Sequence, residues 1–294
     1  MMPPGSESRV GARAYPTWFL IPASLVFGAL FLAPSIVSIF FSLTRWSLAE
    51  YSFIGLDNYR QFFREPFLFK GIVNTLIYAS VTSGSKVILG MALAVLLTAK
   101  LPGRDALRVI VFFPTLVSTV GVGITFSALM HPTHGLINVG LSLFGIEGPS
   151  WLTDPRVALL SVAMVDVWKG VGLATVIYIA GLVSIPLDYY EAAELDGAGA
   201  WQRFRNVTLP LLWPATATVI TLSFIGGLRS FDLIWSMTRG GPGFTTDVIA
   251  SVIYKQYQAG FYGLSTAGNV VLFALVVLIV FPLTRLLNRG EVKT

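Results

Sequence analysis

Residues 190–210 read YEAAELDGAGAWQRFRNVTLP, and this polar segment divides two of the most apolar runs of the chain. It holds three acids within residues 191–196, two glycines, two arginines and a closing proline. The flanking runs, at about 156–183 and 211–238, are each long enough to cross a bilayer as a helix. We therefore expect a helical membrane bundle that presents residues 190–210 outside the lipid.

Composition supports the assignment to the membrane. Of the 294 residues, 54% are hydrophobic and only 12% are charged, whereas soluble domains carry about a quarter of charged residues. The absence of cysteine excludes disulfides, thiolate nucleophiles and cysteine-ligated metals. The net charge of +5 is scattered and forms no basic stripe with interleaved aromatic residues, so nucleic acid is not an expected partner.

The apolar runs are long enough for six helices. Lipid offers backbone groups no hydrogen-bond partner, so a spanning segment has to be a helix or part of a closed barrel. Arg9 and Arg13 precede the first run as in a signal sequence, but that run is too long and no A-x-A-like cleavage site follows it. We predict an all-α membrane domain over 17–288 between tails at 1–16 and 289–294, with spans at about 17–44, 71–98, 107–130, 156–183, 211–238 and 262–287.

Basic residues indicate the orientation. With the N-terminus inside, ten lie in cytoplasmic segments and seven in the somewhat longer outer loops. This moderate positive-inside bias places both termini and the 190–210 segment in the cytoplasm. The cytoplasmic set is Arg9, Arg13, Lys100, Arg104, Arg108, Arg203, Arg205, Arg285, Arg289 and Lys293, and the outer set is Arg45, Arg60, Arg64, Lys70, Arg156, Arg239 and Lys255.

The first half of the cytoplasmic segment has the signals of a short helix. Asp188 and Glu191 have the spacing of a capping box, which predicts a helix from Tyr189 to Leu195. Gly197 suits the left-handed residue that ends many helices.

The second half predicts another short helix. It starts at Ala198 and places Trp201, Phe204 and Val207 near one face. Because the residue before a proline favours an extended conformation, we expect this helix to end at Leu209, before Pro210. The residues alone leave two interpretations equally open, a solvated loop with aromatic rings at the headgroups and an element that docks another protein.

A resemblance favours the docking element. The pattern E-A-A-x-x-D-G-A, with the later phenylalanine and proline, resembles the signature loop of permease subunits in bacterial binding-protein-dependent ABC importers. That resemblance implies a type I importer permease bundle whose coupling helix sits in a cleft of a cytosolic ATPase. The matching positions are Glu191, Ala192, Ala193, Asp196, Gly197, Ala198, Phe204 and Pro210.

Further stretches are similar to the carbohydrate branch, the maltose-type and glycerol-phosphate-type permeases. The implied function is half of the pathway for a sugar or sugar-like solute in the bacterial plasma (inner) membrane. The implied partners are a second permease, two ATPases that bind ATP and Mg²⁺, an extracytoplasmic binding protein, and lipid. In the family the loop that follows the Gly240–Gly243 turn lies near the binding protein, and an ordinary turn without a partner is an equally open interpretation. These stretches are FIGLDNY (53–59), NT (74–75), GLINVGL (135–141), WLTDP (151–155), VWKG (167–170), AGLVSIP (180–186) and TRGGPGFTTD (238–247).

Charged residues also lie within the spans, where they are costly and usually face a cavity or a partner. Asp166 with Lys169, and Arg229 with Asp232, have the i, i+3 spacing that lets each pair neutralise itself on one helix face. They are either structural ion pairs or groups that line the route of a hydroxyl-rich solute. Lys86 either pairs with an acid on another helix or contacts that lining.

Similarity to the maltose-type permease implies a set of pathway residues. Asp166, Gly227 and Ser230 stand where that subunit has asparagines. This departure implies a different sugar, or a pocket carried mainly by the partner permease. The implied set is Asp166, Lys169, Gly170, Leu173, Ser223, Gly227 and Ser230.

Other motifs are missing. The chain has no G-x-x-x-x-G-K-[ST] sequence, so we expect ATP to be bound only by partner subunits. His131 and His134 have no convincing third ligand, and no nucleophile–base arrangement occurs, so we expect no metal, no cofactor and no enzymatic activity of the chain.

Two rival functions stay open. One is an ion-driven secondary transporter that uses the intramembrane charge pairs as a relay, although no inverted repeat is evident. The other is a scaffold or a polysaccharide-export membrane subunit.

Overall fold

A computed structural model describes residues 17–47, 49–99 and 101–289. The predicted tail at 1–16, Lys100 and residues 290–294 lie outside this range. Most of the described chain is helical, and the only strands in it form a small antiparallel hairpin that pairs Thr44 with Phe53. The strands are β1 (Thr44–Trp46) and β2 (Tyr51–Phe53).

The helices of the described chain are numbered α1 to α13. In chain order they are α1 (Trp18–Ser42), α2 (Asp57–Arg64), α3 (Pro66–Thr98), α4 (Arg104–Leu116), α5 (Thr119–Leu129), α6 (Leu136–Ser142), α7 (Ala158–Val183), α8 (Asp188–Leu195), α9 (Ala200–Leu211), α10 (Trp213–Leu228), α11 (Asp232–Met237), α12 (Ile249–Gln258) and α13 (Tyr262–Arg289).

Four helices are long and apolar enough to cross a membrane by themselves, namely α1, α3, α7 and α13. Two bent pairs raise the number to as many as six spans. The pair α4–α5 bends by 98°, and the pair α9–α10 bends by 63°.

Two predicted spans differ from the observed helices. The run at 107–130 is broken at Val117 and Ser118, where ψ turns to 142° and 129°, three residues after a proline that the helix itself accommodates. The run at 211–238 begins after a bend at Leu212 and is broken again at 229–231, after the weak helix formers Gly226 and Gly227. Hydropathy alone detects neither break.

Small residues set the closest crossings around α3. A Cβ atom added at Gly90 would lie 2.8 Å from the Ala174 Cβ atom of α7. A Cβ atom at Gly227 would lie 2.6 Å from the Ala79 Cα atom of α3. Small residues let helix backbones approach closely. In a membrane this matters because helices associate through van der Waals packing and gain no hydrophobic free energy by leaving the lipid. Helix α3 therefore lies between α7 and α10, close to both.

The Gly90 crossing is testable. We expect Gly90→Leu to lower the free energy of unfolding by about 1–3 kcal/mol, because the added side chain overpacks the contact with Ala174. Gly84→Leu on the same helix is the matched control, since a Cβ atom there meets nothing within 4 Å. Thermal unfolding of the purified protein in detergent measures both. Equal melting temperatures for the two variants would contradict the packing assignment.

Candidate functional site

The segment that holds residues 190–210 begins with α8, whose start differs from the prediction. Asp188 already belongs to the helix, and no side-chain cap is formed. The backbone amides of Tyr190 and Glu191 donate instead to the Leu187 carbonyl, at 2.8 and 3.0 Å. The predicted Asp188–Glu191 capping box is therefore wrong. Both acids lie in the first turn, where the helix dipole favours negative charge.

The end of α8 is a Schellman motif. Gly197 has a φ of +79°, as predicted from its position. The Ala198 amide donates to the Ala193 carbonyl at 2.9 Å, and the Gly197 amide donates to the Glu194 carbonyl at 3.0 Å. A Cβ atom at Gly197 would meet nothing within 4 Å. Glycine is therefore required here by backbone conformation and not by lack of space.

The second helix starts two residues later than predicted. Ala198 is used by the Schellman motif and Gly199 is extended, so α9 begins at Ala200. The Gly199 amide donates to the Gln202 side-chain oxygen at 2.8 Å, which satisfies one of the free donors at the helix start.

Pro210 does not end this helix, contrary to the prediction. Leu209 is helical (φ −62°, ψ −44°), and α9 continues through Pro210 to Leu211. A π-helical turn at Phe204–Thr208 precedes the proline. Because that turn already interrupts the i→i−4 hydrogen bonds, the lack of a backbone N–H at Pro210 costs the helix little stability.

The two helices are tied together and present an open surface. The Arg203 guanidinium pairs with the Glu194 carboxylate at 3.1 Å, and the Tyr190 and Thr208 hydroxyls are 3.0 Å apart. Leu195 is nevertheless 90% exposed. Trp201 on α9 is 69% exposed, so each of the two helices presents a large apolar side chain at its surface. The exposed residues of the signature include Glu191, Ala192, Asp196, Gly197 and Pro210, whereas Ala193, Ala198 and Phe204 are half-buried.

Within the bundle, Lys86 of α3 pairs with Asp166 of α7. The Lys86 Nζ atom lies 2.7 Å from the Asp166 Oδ2 atom, and the two side chains are 10% and 23% exposed. Gly170 makes room for this contact, because a Cβ atom there would lie 2.7 Å from the Lys86 Cε atom. The structure thus pairs Lys86 with an acid on another helix.

The predicted pairing of Asp166 with Lys169 on one helix is wrong. The Lys169 Nζ atom lies 3.5 Å from the Thr115 carbonyl oxygen, in the last turn of α4. The Thr115 hydroxyl donates in return to the Lys169 carbonyl oxygen at 3.0 Å. A cation near a helix C-terminus is favoured by the dipole. Lys169 therefore holds the broken end of α4 against α7.

The predicted Arg229–Asp232 pair is also wrong. Arg229 lies at the C-terminal end of α10 and Asp232 begins α11, so the break between the helices abolishes the i, i+3 geometry of one continuous helix. Both residues are exposed, and no ion pair joins them within the described chain.

The remaining predicted pathway residues fall into two groups. Gly170 and Gly227 lie at close contacts, beside Lys86 and Ala79 respectively, and supply space rather than polar groups. Leu173 is exposed, whereas Ser223 and Ser230 are half-buried. Ser230 lies in the break after α10, and its amide donates to the Gly227 carbonyl at 3.2 Å.

Tyr78 was not predicted from the sequence. Its side chain is 0% exposed, and its hydroxyl has no hydrogen-bond partner within the described residues. A single tyrosine in an apolar span gives little signal in the sequence, because its ring also suits an ordinary core position.

Two sequence motifs meet on the side of the bundle opposite to the 190–210 segment. The Asn74 amide donates to the Thr245 and Asp247 carbonyl oxygens at 3.0 and 2.8 Å. The buried Asp247 carboxylate accepts from Lys255 at 2.6 Å and from Ser251 at 2.7 Å. The NT motif therefore anchors the TRGGPGFTTD segment to α3.

No metal centre is found in the described part of the chain, which contains no group of three or more potential ligands among His, Cys, Asp and Glu. His131 and His134 stack on one another, with ring centroids 3.5 Å apart.

Comparison with known proteins identifies the family. Residues 86–292 match the family described as "Binding-protein-dependent transport system inner membrane component". The chain belongs to this family. It is a multi-pass membrane permease of an ABC importer, and a transport subunit rather than an enzyme. The predicted all-α membrane fold and the predicted family are confirmed.

Individual relatives support the assignment. The chain is 36% identical to the trehalose/maltose transport system permease protein MalF of Thermococcus litoralis, over 78% of each chain. It is 30% identical to the sulfoquinovosyl glycerol transport system permease protein SmoG of Agrobacterium fabrum, over 90% of this chain and 88% of the relative.

A solved structure has the same fold. In the crystal structure of a bacterial ABC transporter that imports the acidic polysaccharide alginate, one chain matches with a TM-score of 0.81 and 25% identity. The match covers 92% of this chain and 94% of that one.

The Lys86–Asp166 ion pair can be tested by mutation. We expect Lys86→Met to lower the free energy of unfolding by about 1–3 kcal/mol, because it leaves the largely buried Asp166 carboxylate without a counter-charge. The double variant Lys86→Met/Asp166→Leu removes both charges and should recover most of the loss. Thermal unfolding in detergent provides the measurement. A double variant less stable than Lys86→Met would show that the two groups are not paired.

Proposed function

We propose that this permease forms half of the translocation pathway for a sugar or sugar-like solute and couples to an ATPase through residues 190–210. The observation that carries the proposal is the signature loop itself. Its two helices are fixed to one another by an ion pair and a Schellman motif, yet its exposed surface is not used within the described chain. A rigid, open element of this kind is built to contact another protein.

Particular roles in coupling follow from the positions of the residues. Glu191, Ala192, Asp196 and Gly197 supply the exposed contact surface, and Ala193 and Ala198 form the tight bend. Phe204 stacks with Trp201 at 5.6 Å between ring centroids, and together with Pro210 it sets the course of α9 toward the membrane.

The proposed assembly contains several other chains. It includes a second, different permease, two cytosolic ATPase subunits and an extracytoplasmic binding protein that delivers the solute. ATP and Mg²⁺ are bound by the ATPase subunits, and this chain binds no cofactor. The chain lies in the bacterial plasma (inner) membrane with both termini in the cytoplasm, and each bent helix pair crosses once to give six spans over 17–288.

A carbohydrate as the solute is supported by two observations. The relatives named above are transport components for trehalose/maltose and sulfoquinovosyl glycerol. Within this chain, Asp166, Ser223 and Ser230 offer the acceptors and donors that a hydroxyl-rich solute needs in place of water. In the proposed pathway Leu173 is an apolar wall, Gly170 and Gly227 set its width, and Lys169 fixes the broken helix beside it.

Closure of the ATPase dimer on ATP has to favour one conformational state of the transmembrane bundle. The ATPase dimer draws the two coupling loops together when it binds ATP, and this biases the bundle toward its outward-facing state. A ligand shifts a conformational equilibrium only by its differential affinity for the two states. The loop has to transmit force as a rigid body, which the Arg203–Glu194 and Tyr190–Thr208 contacts allow.

The alternative function, an ion-driven secondary transporter, depends on ion pairs that the structure does not contain. It requires Asp166–Lys169 and Arg229–Asp232 to act as two relay pairs. Asp166 is bound to Lys86 instead, Lys169 contacts a backbone carbonyl, and Arg229 and Asp232 are not joined.

Gly197→Val tests the coupling role. Valine at a φ of +79° is strained by about 1–2 kcal/mol, but there is space for its side chain, so the protein should still fold and assemble. We expect the variant complex to lose most of the ATP hydrolysis that the binding protein stimulates and to lose solute uptake. Both are measured on the complex purified from its native membrane and reconstituted in liposomes.

Gly103→Val is the matched control for backbone strain. Gly103 has a φ of +74° and lies outside the signature loop, and a Cβ atom added there would meet nothing within 4 Å. This variant should keep its coupling. Normal uptake by Gly197→Val, or an equal loss in both variants, would contradict the coupling role of the loop.

A further inference from the structure

An apolar groove runs between α3 and α13 on the surface of the bundle. Its volume is about 430 Å³, and its lining is almost entirely apolar. Ile72 of α3 forms one wall, and Val271 and Leu275 of α13 form the other. The same three side chains pack inward against the buried cluster around Phe62, so the walls are held in place. No other part of the described chain fills the groove.

Helix α2 lies at the end of this groove, on the side of the bundle that holds Asn74 and is opposite to residues 190–210. The Asn58 amide fixes α2 by donating to the Ser42 and Thr44 carbonyl oxygens, both at 2.8 Å. Tyr59 and Phe63, on the neighbouring flank of the helix, reach the groove and line it. A rigid helix therefore places two aromatic rings at the groove, as is common where a membrane protein meets the headgroups.

The length of the groove fits one leaflet of a bilayer. It follows α13 from Val270, directly after the exposed polar Asn269, to Ile279, a distance of about 14 Å along the helix axis. The hydrocarbon of one leaflet is about 15 Å deep. A helix of another protein that crossed the membrane here would need a contact surface of about twice this length, whereas an acyl chain needs only this much.

The groove is apolar, but the next flank of α2 is charged. Arg60 and Arg64 directly follow the two aromatic residues that line the groove, so they lie about 100° further around the helix. Arg64 has no ion-pair partner within the described residues, and Arg60 pairs with Asp57 at 2.8 Å while its side chain stays 67% exposed. This flank borders a polar cavity that is lined by Asp57, Arg60, Gln61, Arg64 and Glu65.

We propose that this groove binds one phospholipid, with an acyl chain between α3 and α13 and the phosphate at Arg60 and Arg64. Guanidinium groups bind phosphate oxygens through paired, charge-assisted hydrogen bonds. Asp57 and Glu65 lie beside the two arginines and favour a headgroup that carries its own cation, such as ethanolamine. The site is separate from residues 190–210 and from the proposed solute pathway, and it adds a bound lipid to the permease.

Ala274→Trp tests the groove, because Ala274 is an exposed residue of its lining and a larger side chain there takes the place of the acyl chain. The protein is purified from its native membrane in mild detergent, delipidated and titrated with dioleoylphosphatidylethanolamine, and native mass spectrometry counts the bound lipid. We expect the wild type to bind one lipid and Ala274→Trp to bind it at least about tenfold more weakly, since several methylene groups lose their contact.

Ala92→Trp is the matched control for the groove. Ala92 is also an exposed alanine, and it lines a different apolar groove of about 440 Å³ between α3 and α9. This variant should bind the lipid as the wild type does, and both variants should keep the melting temperature of the wild type. Equal affinities of wild type and Ala274→Trp overturn the proposal, and so does an equal loss in both variants, which is the behaviour of unspecific surface lipid.

The headgroup contact has its own test. Arg60→Gln/Arg64→Gln should weaken binding of the phospholipid about three- to tenfold, because the contacts are exposed. Binding of dioleoylglycerol, which has the same chains and no phosphate, should not change. Arg156→Gln, which alters an arginine that is 91% exposed and lies outside both cavities, is the control and should bind both lipids as the wild type does.

Two further results would overturn the proposal. A double arginine variant that binds both lipids as the wild type does, or that loses both equally, contradicts a phosphate at Arg60 and Arg64. An Ala274→Trp variant that keeps its lipid but no longer purifies with a second membrane subunit shows that a protein occupies the groove.

Discussion

The close packing of α3 against α7 and α10 is the interaction on which the rest of the described bundle depends. Gly90 and Gly227 let the backbones approach, and the same closeness brings Lys86 within reach of Asp166. Asn74, near the other end of α3, fixes the TRGGPGFTTD segment through two backbone carbonyls. One helix thus organises the Lys86–Asp166 pair and the loop on the far side of the bundle from residues 190–210.

The polar groups inside the bundle follow from the lack of water in lipid, which forces each of them to find a partner within the protein. Lys86 and Asp166 satisfy one another, and Lys169 binds the carbonyl at the broken end of α4. The hydroxyls of Tyr78 and Tyr178 are exceptions, because neither has a hydrogen-bond partner within the described chain.

The sequence was sufficient for the membrane class, the helical fold, the family and the left-handed Gly197, because hydropathy and local backbone chemistry decide these features. It was not sufficient for the ion pairs. The i, i+3 spacing of Asp166 and Lys169 favoured a local ion pair. Because Gly170 has no side chain, however, Lys86 of α3 reaches Asp166 and pairs with it instead. The breaks at Val117 and 229–231 were missed because a hydropathy window measures composition and not helix continuity. Pro210 was misjudged because the preceding π turn is a tertiary feature without a sequence signature.

The measurement that tests the central claim most directly is cross-linking from the surface of the signature loop. The chain has no cysteine, so a single one can be introduced at will. Leu195→Cys replaces a side chain that is 90% exposed on α8, and Leu143→Cys replaces one that is 82% exposed just after α6, away from the loop. We predict that Leu195→Cys, probed in native membranes with a short bifunctional reagent, cross-links to a cytosolic ATPase subunit and that Leu143→Cys does not. A Leu195→Cys chain that forms no cross-link to an ATPase, in a membrane where uptake is intact, would contradict the account.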